Sequence, residues 1–178
     1  MKILKITVLI IICLAAYYFT WSPNKSNISE QAKIAIEKSE ACDRPNNDFS
    51  YCINLPKKDR KDYTGTPGKY PQTCMNTVSS FYSPKANWAQ CNYFVNNLNK
   101  LHFKETDSPR PGDIVIFFKK NNDARHTGLY VGKSLFGPLM NHSDGGKLPH
   151  NYQKHFPIKL YMLTRKDYIN YKYYTYNQ

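Results

Sequence analysis

The sequence predicts an α+β domain in which helices come before a small antiparallel β-sheet. Helical patterns cover residues 74–82 and 86–101, and the chain after them consists of short apolar runs bounded by turn residues. Helices and antiparallel strands that are separated along the sequence in this way are typical of α+β domains. The hydrophobic content of 41% argues against a wholly disordered chain, so we expect a packed core.

The N-terminal residues 1–21 have the features of a targeting segment. Lys2 and Lys5 precede an apolar run over residues 6–19, which is the order found in signal peptides. The run is shorter than the ~20 residues that a membrane span needs, and no clear small-residue cleavage site follows it. The segment is therefore predicted to be a signal peptide or a membrane anchor. Either one places the rest of the chain outside the cytoplasm, as a secreted, periplasmic or membrane-tethered protein.

Residues 22–62 are polar and are predicted to form a linker or an N-terminal extension. A short helical pattern runs through this range and includes Ile28 and Ile36. Cys42 and Cys52 close a turn-rich loop, which in an oxidising compartment predicts a local disulfide. Two unrelated thiols are the alternative to that disulfide.

Turn and capping residues divide the rest of the chain into secondary-structure elements. Thr73 is a suitable N-cap, so the first helix is predicted to begin at Cys74. The tail over residues 168–176 carries five tyrosines and is interpreted as an amphipathic edge segment, with a glycan-stacking surface as the alternative. A Pro-Gly-Asp turn at residues 111–113 introduces the first of the predicted strands. These strands cover residues 114–118, 126–131, 139–143 and 158–163.

A cysteine, a histidine and a polar pair occupy the positions that a thiol hydrolase needs. A helix start lowers the pKa of a thiol, and a neighbouring imidazole forms a thiolate–imidazolium pair with it. Cys74 lies at the predicted helix start, and His126 lies at the start of a strand. Gly128 shares the face of His126 and leaves room beside its imidazole. The next strand carries Asn141 and His142, and a polar group there can hold the imidazole in the right tautomer.

These motifs resemble those of the NlpC/P60 and CHAP hydrolases. Pro-Gly-Asp-Ile-Val-Ile-Phe at residues 111–117 is similar to the families' turn and strand, and His-Thr-Gly-Leu-Tyr-Val-Gly at residues 126–132 is similar to their histidine strand. The resemblance covers residues 63–163 and implies that residues 63–178 form a cysteine hydrolase domain with a papain-like fold. It also implies cleavage of amide bonds in peptidoglycan, by stem-peptide endopeptidase or amidase activity.

The resemblance implies that Cys74 attacks the scissile amide and that His126 acts as its base. One departure is the segment around Cys74, Thr-Cys-Met-Asn-Thr, where the families carry a motif like Asp-Cys-Ser-Gly-Phe. Cys91, in Trp-Ala-Gln-Cys-Asn-Tyr-Phe-Val, is similar to a CHAP nucleophile segment and competes for the role. We favour Cys74, because Cys91 falls on the apolar stripe inside the helix predicted over residues 86–101, about a turn past its start. The shorter stretch between Cys91 and His126 also leaves less room for a second helix and a connection.

Asn141 and His142 are both candidates for the residue that orients His126. They are neighbours on a predicted strand, so their side chains point to opposite faces and only one can reach His126. Met140 shares the face of His142, which is interpreted as facing the core or away from the site. Asn141 is therefore the predicted third residue. Many relatives carry histidine at this position, and asparagine has the same role in papain-like proteases.

The charge of the chain favours one class of partner and its motifs exclude others. A net charge of +12 favours a polyanion, here peptidoglycan or another anionic cell-wall polymer. The sequence has no zinc-finger spacing and no RNA-binding signature, so we expect no nucleic-acid partner. It has no metal-binding motif either, so we expect neither a metal nor a cofactor. Two alternatives stay open: a catalytically decayed wall-binding module on the same fold, and an antibacterial amidase toxin with an immunity protein as its partner.

Overall fold

The computed structural model describes most of the residues after position 73 and one helix before them. The predicted leader, the cap residue Thr73 and the expected Cys42–Cys52 disulfide lie outside the described residues. None of the described helices is long and apolar enough to cross a membrane. The described residues are 28–41, 74–82, 88, 90–144 and 151–177.

Three helices come first in the described sequence, and a six-stranded sheet with one more helix follows. The helices are α1 (Glu30–Ala41), α2 (Cys74–Tyr82), α3 (Cys91–Asn96) and α4 (Ile158–Thr164). The strands are β1 (Phe103–Thr106), β2 (Ile114–Lys119), β3 (Asp123–Ser134), β4 (Gly137–Asp144), β5 (Asn151–Pro157) and β6 (Asn170–Tyr176). The strand order is β1-β6-β2-β3-β4-β5, and every neighbouring pair is antiparallel. The predicted α+β class, with short helices packed on an antiparallel sheet, is confirmed.

Several of the predicted elements are present, and two of them, α2 and β2, begin at the predicted residue. Helix α2 begins at Cys74, and its buried side chains Met75, Val78 and Phe81 recur every three residues and form the face that packs on the sheet. The first three predicted strands lie within β2, β3 and β4. The elements that carry the candidate catalytic residues therefore follow the sequence prediction.

The second predicted helix, over residues 86–101, is wrong in its extent, because α3 covers only Cys91–Asn96. Gln90 is extended, with φ −143° and ψ 154°, so the helix cannot begin before it. At the other end, the side-chain amide of Asn97 donates to the backbone oxygen of Tyr93 at 2.8 Å. Asparagine side chains compete for backbone hydrogen bonds in this way and shorten helices.

Two predictions for the C-terminal part of the protein are also wrong. Residues 158–163 form α4 and not a strand, with Pro157 as the extended residue before the helix. Ile158 and Tyr161 are buried three residues apart on one helical face, and an apolar run of this length does not by itself distinguish a helix from a strand. The tyrosine-rich tail, residues 168–176, contains β6, which lies between β1 and β2 and not at an edge.

The sheet is covered on both faces. Helices α1–α3 pack on one face, where Ala35 and Ile36 of α1 are buried although they come from the range predicted as a linker or extension. Helix α4 covers part of the other face with a smaller cluster. That cluster consists of Val115, Phe117, Tyr130, Met140, Ile158 and Tyr161. The two faces therefore offer different environments to neighbouring residues of one strand.

The Pro-Gly-Asp turn fixes the start of β2 against its neighbours. Gly112 has φ +94°, and a Cβ added there would lie 2.6 Å from the Cβ of Ala32, so a side chain does not fit. The backbone N–H of Gly112 donates to the oxygen of Tyr130 at 2.7 Å, and the N–H of Tyr130 donates to the oxygen of Asp113 at 2.8 Å. The turn thus holds α1, β2 and β3 together at the end of β2 where the strand begins.

Candidate active site

Cys74 is the first residue of α2 and lies half-buried where this helix meets β3. Its Sγ atom is 4.0 Å from the backbone oxygen of Arg125. The buried face of α2 fixes the helix against β3 and β4, so the position of its first residue is set by core packing. A thiol at this position faces the free N–H groups of a helix start, which stabilise a thiolate.

His126 lies on β3 at an irregularity in the pairing with β2. Phe117 pairs with His126, but Phe118 pairs with Ala124, so Arg125 is an extra residue on β3. Bulges of this kind re-aim side chains next to active sites. The imidazole of His126 is buried under the ring of Tyr161, which stacks on it with 4.6 Å between ring centroids and an angle of 19°.

His142 on β4 is the hydrogen-bonding partner of His126. His126 Nε2 lies 2.9 Å from His142 Nδ1, and both imidazoles are buried. Gly128 makes this approach possible, because a Cβ there would lie 3.2 Å from the Cβ of His142 and 2.8 Å from the Sδ of Met140. The prediction that a glycine on this face leaves room beside the imidazole is consistent with that geometry.

Asn141 lies on the opposite face of β4 and bonds to α1 and β5. Its side-chain amide donates to Ser39 Oγ at 3.0 Å and to Glu40 Oε1 at 2.7 Å, and its side-chain oxygen accepts from the backbone N–H of His155 at 2.8 Å. The prediction that Asn141 contacts and orients His126 is therefore wrong, because the side chain of Asn141 points away from His126.

The register between β3 and β4 explains why His142, and not Asn141, reaches His126. Met140 pairs directly with Tyr130, and Tyr130 shares a face of β3 with Gly128 and His126. Cross-strand partners lie on the same face of a sheet. His142, two residues from Met140, is therefore on the face of His126, and Asn141 points the other way. The sequence contains the alternation along each strand, but not the register between the strands.

The electrostatics of the site separate the two cysteines. Hydrogen bonding with the Cys91 thiol and the nearby imidazole of His126 hold the pKa of Cys74 well below its ordinary value, against the opposing effect of burial. The pKa of Cys91 is raised well above its ordinary value by its hydrogen bonding with Cys74 and by burial. Cys74 is therefore the better thiolate and Cys91 the neutral thiol of the pair.

His142 is held in its neutral form. Burial, together with the charge of His126, lowers the pKa of His142 to about 3. At neutral pH this residue therefore carries one ring proton and acts as a hydrogen-bonding partner for His126, not as a charge. The same separation of roles between an orienting group and a base occurs in catalytic triads.

Cys91 lies at a helix start, contrary to the prediction, but it is buried, as predicted. It is the first residue of α3, not an interior residue about a turn past a helix start. It is also a core residue, 4% exposed, as its position on the apolar stripe predicted. A helix start alone therefore does not distinguish the two cysteines, whereas exposure and the interaction with His126 do.

A pocket of about 240 Å³ opens beside the two cysteines, and both of them line it. Its wall includes Gln90, Asn92 and Arg125. Asn92 donates to Asp123 Oδ1 at 2.8 Å and accepts from the backbone N–H of Ala124 at 2.8 Å, so α3 is tied to the first residues of β3. The pocket therefore borders the thiol of Cys74 on the side of α3.

The described residues thus bring together a half-buried thiol, an imidazole and a second imidazole, in the order Cys74, His126 and His142. This set is able to activate a thiol for attack on a carbonyl carbon. In the part of the protein that the structure describes, no group of three or more His, Cys, Asp or Glu residues is placed to hold a metal ion. Comparisons of the sequence and fold with family models, curated proteins and solved structures found no match.

Proposed function

We propose that this protein is a cysteine hydrolase that cleaves amide bonds, with Cys74 as nucleophile, His126 as general base and His142 as the orienting residue. The observation that carries the proposal is the thiol of Cys74 at a helix start, with its pKa lowered, beside an imidazole that has a buried partner of its own. Nucleophile, base and orienting group in contact are the signature of covalent catalysis by a thiol.

The reaction begins when the Cys74 thiolate attacks the scissile carbonyl carbon and His126 holds the proton that the thiol has lost. His126 then donates this proton to the leaving amine, and the acyl group stays on Cys74 Sγ. Water, deprotonated by His126, hydrolyses the thioester and releases the acid. The backbone N–H of Cys74 is the natural oxyanion donor, and one such donor contributes ~3 kcal/mol of transition-state stabilisation. The reaction needs no cofactor.

We propose peptidoglycan as the substrate and a papain-like fold of the NlpC/P60 type as the scaffold. The motif resemblance at residues 111–117 and 126–132 supports both, and the net charge of +12 supports an acidic wall polymer. The antiparallel sheet with a cysteine-bearing helix packed on it is compatible with that scaffold. A secreted, periplasmic or membrane-tethered location would give the enzyme access to this substrate.

Digestion of purified peptidoglycan by the full-length protein tests the proposal. We expect soluble fragments whose masses identify a cut stem peptide or a cut glycan–peptide amide bond. A Cys74→Ala variant is the matched control, because it removes the nucleophile from a half-buried position with little change in packing. Release of the same fragments by this variant would contradict the proposal.

The same experiment separates a hydrolase from a decayed wall-binding module. A decayed module would sediment with peptidoglycan, release no fragments and leave Cys74 unreactive. An active site should instead react with iodoacetamide at Cys74 well below pH 8, because the alkylating species is the thiolate. Binding without fragments and without a reactive thiol would favour the decayed module over the hydrolase.

A further inference from the structure

His142 has a second hydrogen bond, on the side of its ring that faces away from His126. Its Nε2 atom lies 3.1 Å from the side-chain oxygen of Gln153. Gln153 pairs with His142 directly across β4 and β5, so the contact is built into the sheet. Tyr152 and Lys154, its neighbours on β5, bond instead to backbone oxygens of α1. Side chains alternate between the two faces along β5, so of these three neighbours Gln153 is the one that reaches the histidine pair.

The hydrogen-bonding capacity of each group fixes where the protons lie. An amide oxygen only accepts, so the ring proton of His142 is on Nε2, facing Gln153. His142 Nδ1 then has a lone pair and accepts from His126 Nε2. The remaining nitrogen of His126, Nδ1, is left free of the proton and able to interact with the thiol of Cys74. A single amide oxygen on β5 thereby determines which nitrogen of His126 is the base.

The proposed reaction also requires the ring protons of His126 and His142 to be in these positions. Once His126 holds the thiol proton, both of its nitrogens donate, so its partner must present a lone pair. A neutral His142 presents a lone pair on Nδ1 only if its own proton is on Nε2, and that proton needs an acceptor. Among the described residues, the side-chain oxygen of Gln153 lies at Nε2 of His142 and His126 bonds to its Nδ1. The ring of Tyr161 packs against the imidazole of His142, and the charge of Arg165 acts on it electrostatically.

We propose that Gln153 is a positioning residue of the active site, which fixes the tautomer of His142 and, through it, the base nitrogen of His126. The inference rests on the proposed function for its catalytic meaning. The tautomers and the reactivity of the thiol, however, are properties of the protein without substrate. Gln153 acts through His142 and does not touch the reacting atoms.

The first test is to read the tautomers directly in the full-length protein by NMR of ¹⁵N-labelled histidine. We expect the proton of His142 on Nε2 in the native protein. Gln153→Glu keeps an acceptor of the same shape and should keep this tautomer. Gln153→Leu removes the acceptor and should give a mixture of tautomers. A native protein with the His142 proton on Nδ1, or a Gln153→Leu variant with unchanged signals, would overturn the inference.

The second test uses the alkylation of Cys74 and the hydrolysis of peptidoglycan. For Gln153→Leu we expect kcat/KM to fall about tenfold or more, the loss expected when a buried donor loses its acceptor. The pH at which Cys74 reacts half-maximally with iodoacetamide should rise, because the imidazolium of His126 is less stabilised. Gln153→Glu should restore most of the native kcat/KM and most of the native pH dependence of alkylation. Tyr152→Phe is the matched control, since it removes a hydrogen bond from the other face of β5 and should leave the alkylation profile unchanged.

The two readouts distinguish failure of the inference from failure of the proposed function. If the native protein releases no fragments but Gln153→Leu still changes the tautomer and the alkylation profile, the hydrolase proposal fails and the positioning role stands. If the native protein cleaves peptidoglycan and a folded Gln153→Leu variant matches it in rate, tautomer and alkylation profile, the positioning role is refuted. A melting curve for each variant identifies any loss that is due to unfolding.

Discussion

Helices α2 and α3 both begin at a cysteine, yet the two cysteines have opposite properties. Cys74 is half-buried, lies beside His126 and has a lowered pKa, whereas Cys91 is a core residue with a raised pKa. The helices also differ in length, with nine residues in α2 and six in α3. A helix start alone therefore does not lower the pKa of a thiol in this protein. Both cysteines line the same pocket, so what separates them is the imidazole of His126 beside Cys74 and the deeper burial of Cys91.

The largest expected effect comes from changing the nucleophile itself. Cys74→Ser should lower kcat for peptidoglycan cleavage by ~10⁴-fold or more, as the loss of a triad member does in other hydrolases. The melting temperature should stay close to that of the native protein, because the substitution exchanges one small polar group for another at a half-buried position. Rates from fragment release and a thermal melt give both values. Full activity in this variant would show that the thiol at α2 is not the nucleophile.

The next largest effect tests whether the imidazole pair is what distinguishes α2 from α3. His142→Ala should lower turnover by ~10²–10⁴-fold, because His126 loses the partner that fixes its tautomer. Asn141→Ala is the matched control on the adjacent residue. It should leave turnover within a few-fold but cost ~1–3 kcal/mol of unfolding free energy, since the backbone N–H of His155 loses its acceptor and Glu40 loses one of its hydrogen bonds. The opposite pattern would restore Asn141 as the orienting residue.

The pH dependence of alkylation compares the two thiols within one molecule. A lowered pKa means that the thiolate of Cys74 persists to lower pH, so its reaction with iodoacetamide should reach half its maximum below the ~8.5 of an ordinary thiol. Cys91, buried and with a raised pKa, should stay unlabelled in the folded protein. Peptide mapping by mass spectrometry after labelling at a series of pH values measures each residue. His126→Ala should move the Cys74 midpoint upward; an unchanged midpoint would show that the imidazole has no part in activating the thiol.

The sequence was informative where a structural signal is local and misleading where it depends on distant contacts. The start of α2 at Cys74 and the strand that carries His126 follow from capping and turn residues close by in the sequence. The choice between Asn141 and His142 depends on the register of β3 with β4, which no local pattern contains. The extent of α3 depends on the extended backbone at Gln90 and on the side-chain amide of Asn97, which bonds to Tyr93, and the apolar pattern contains neither.

The smallest expected effect comes from Cys91→Ala, which removes the thiol at the start of α3 and leaves the thiol of Cys74 alone beside His126. Loss of one buried sulfur should cost ~1 kcal/mol and lower the melting temperature by about 2–4 °C. Hydrolysis should persist, reduced less than ~10-fold, because Cys74 loses a hydrogen-bonding partner that helps to lower its pKa but keeps His126. The alkylation midpoint of Cys74 should accordingly rise in this variant. Loss of all activity at an unchanged melting temperature would place the nucleophile on α3. The resemblance of Trp-Ala-Gln-Cys to a CHAP nucleophile segment would then be better evidence for the nucleophile than the contact of Cys74 with His126.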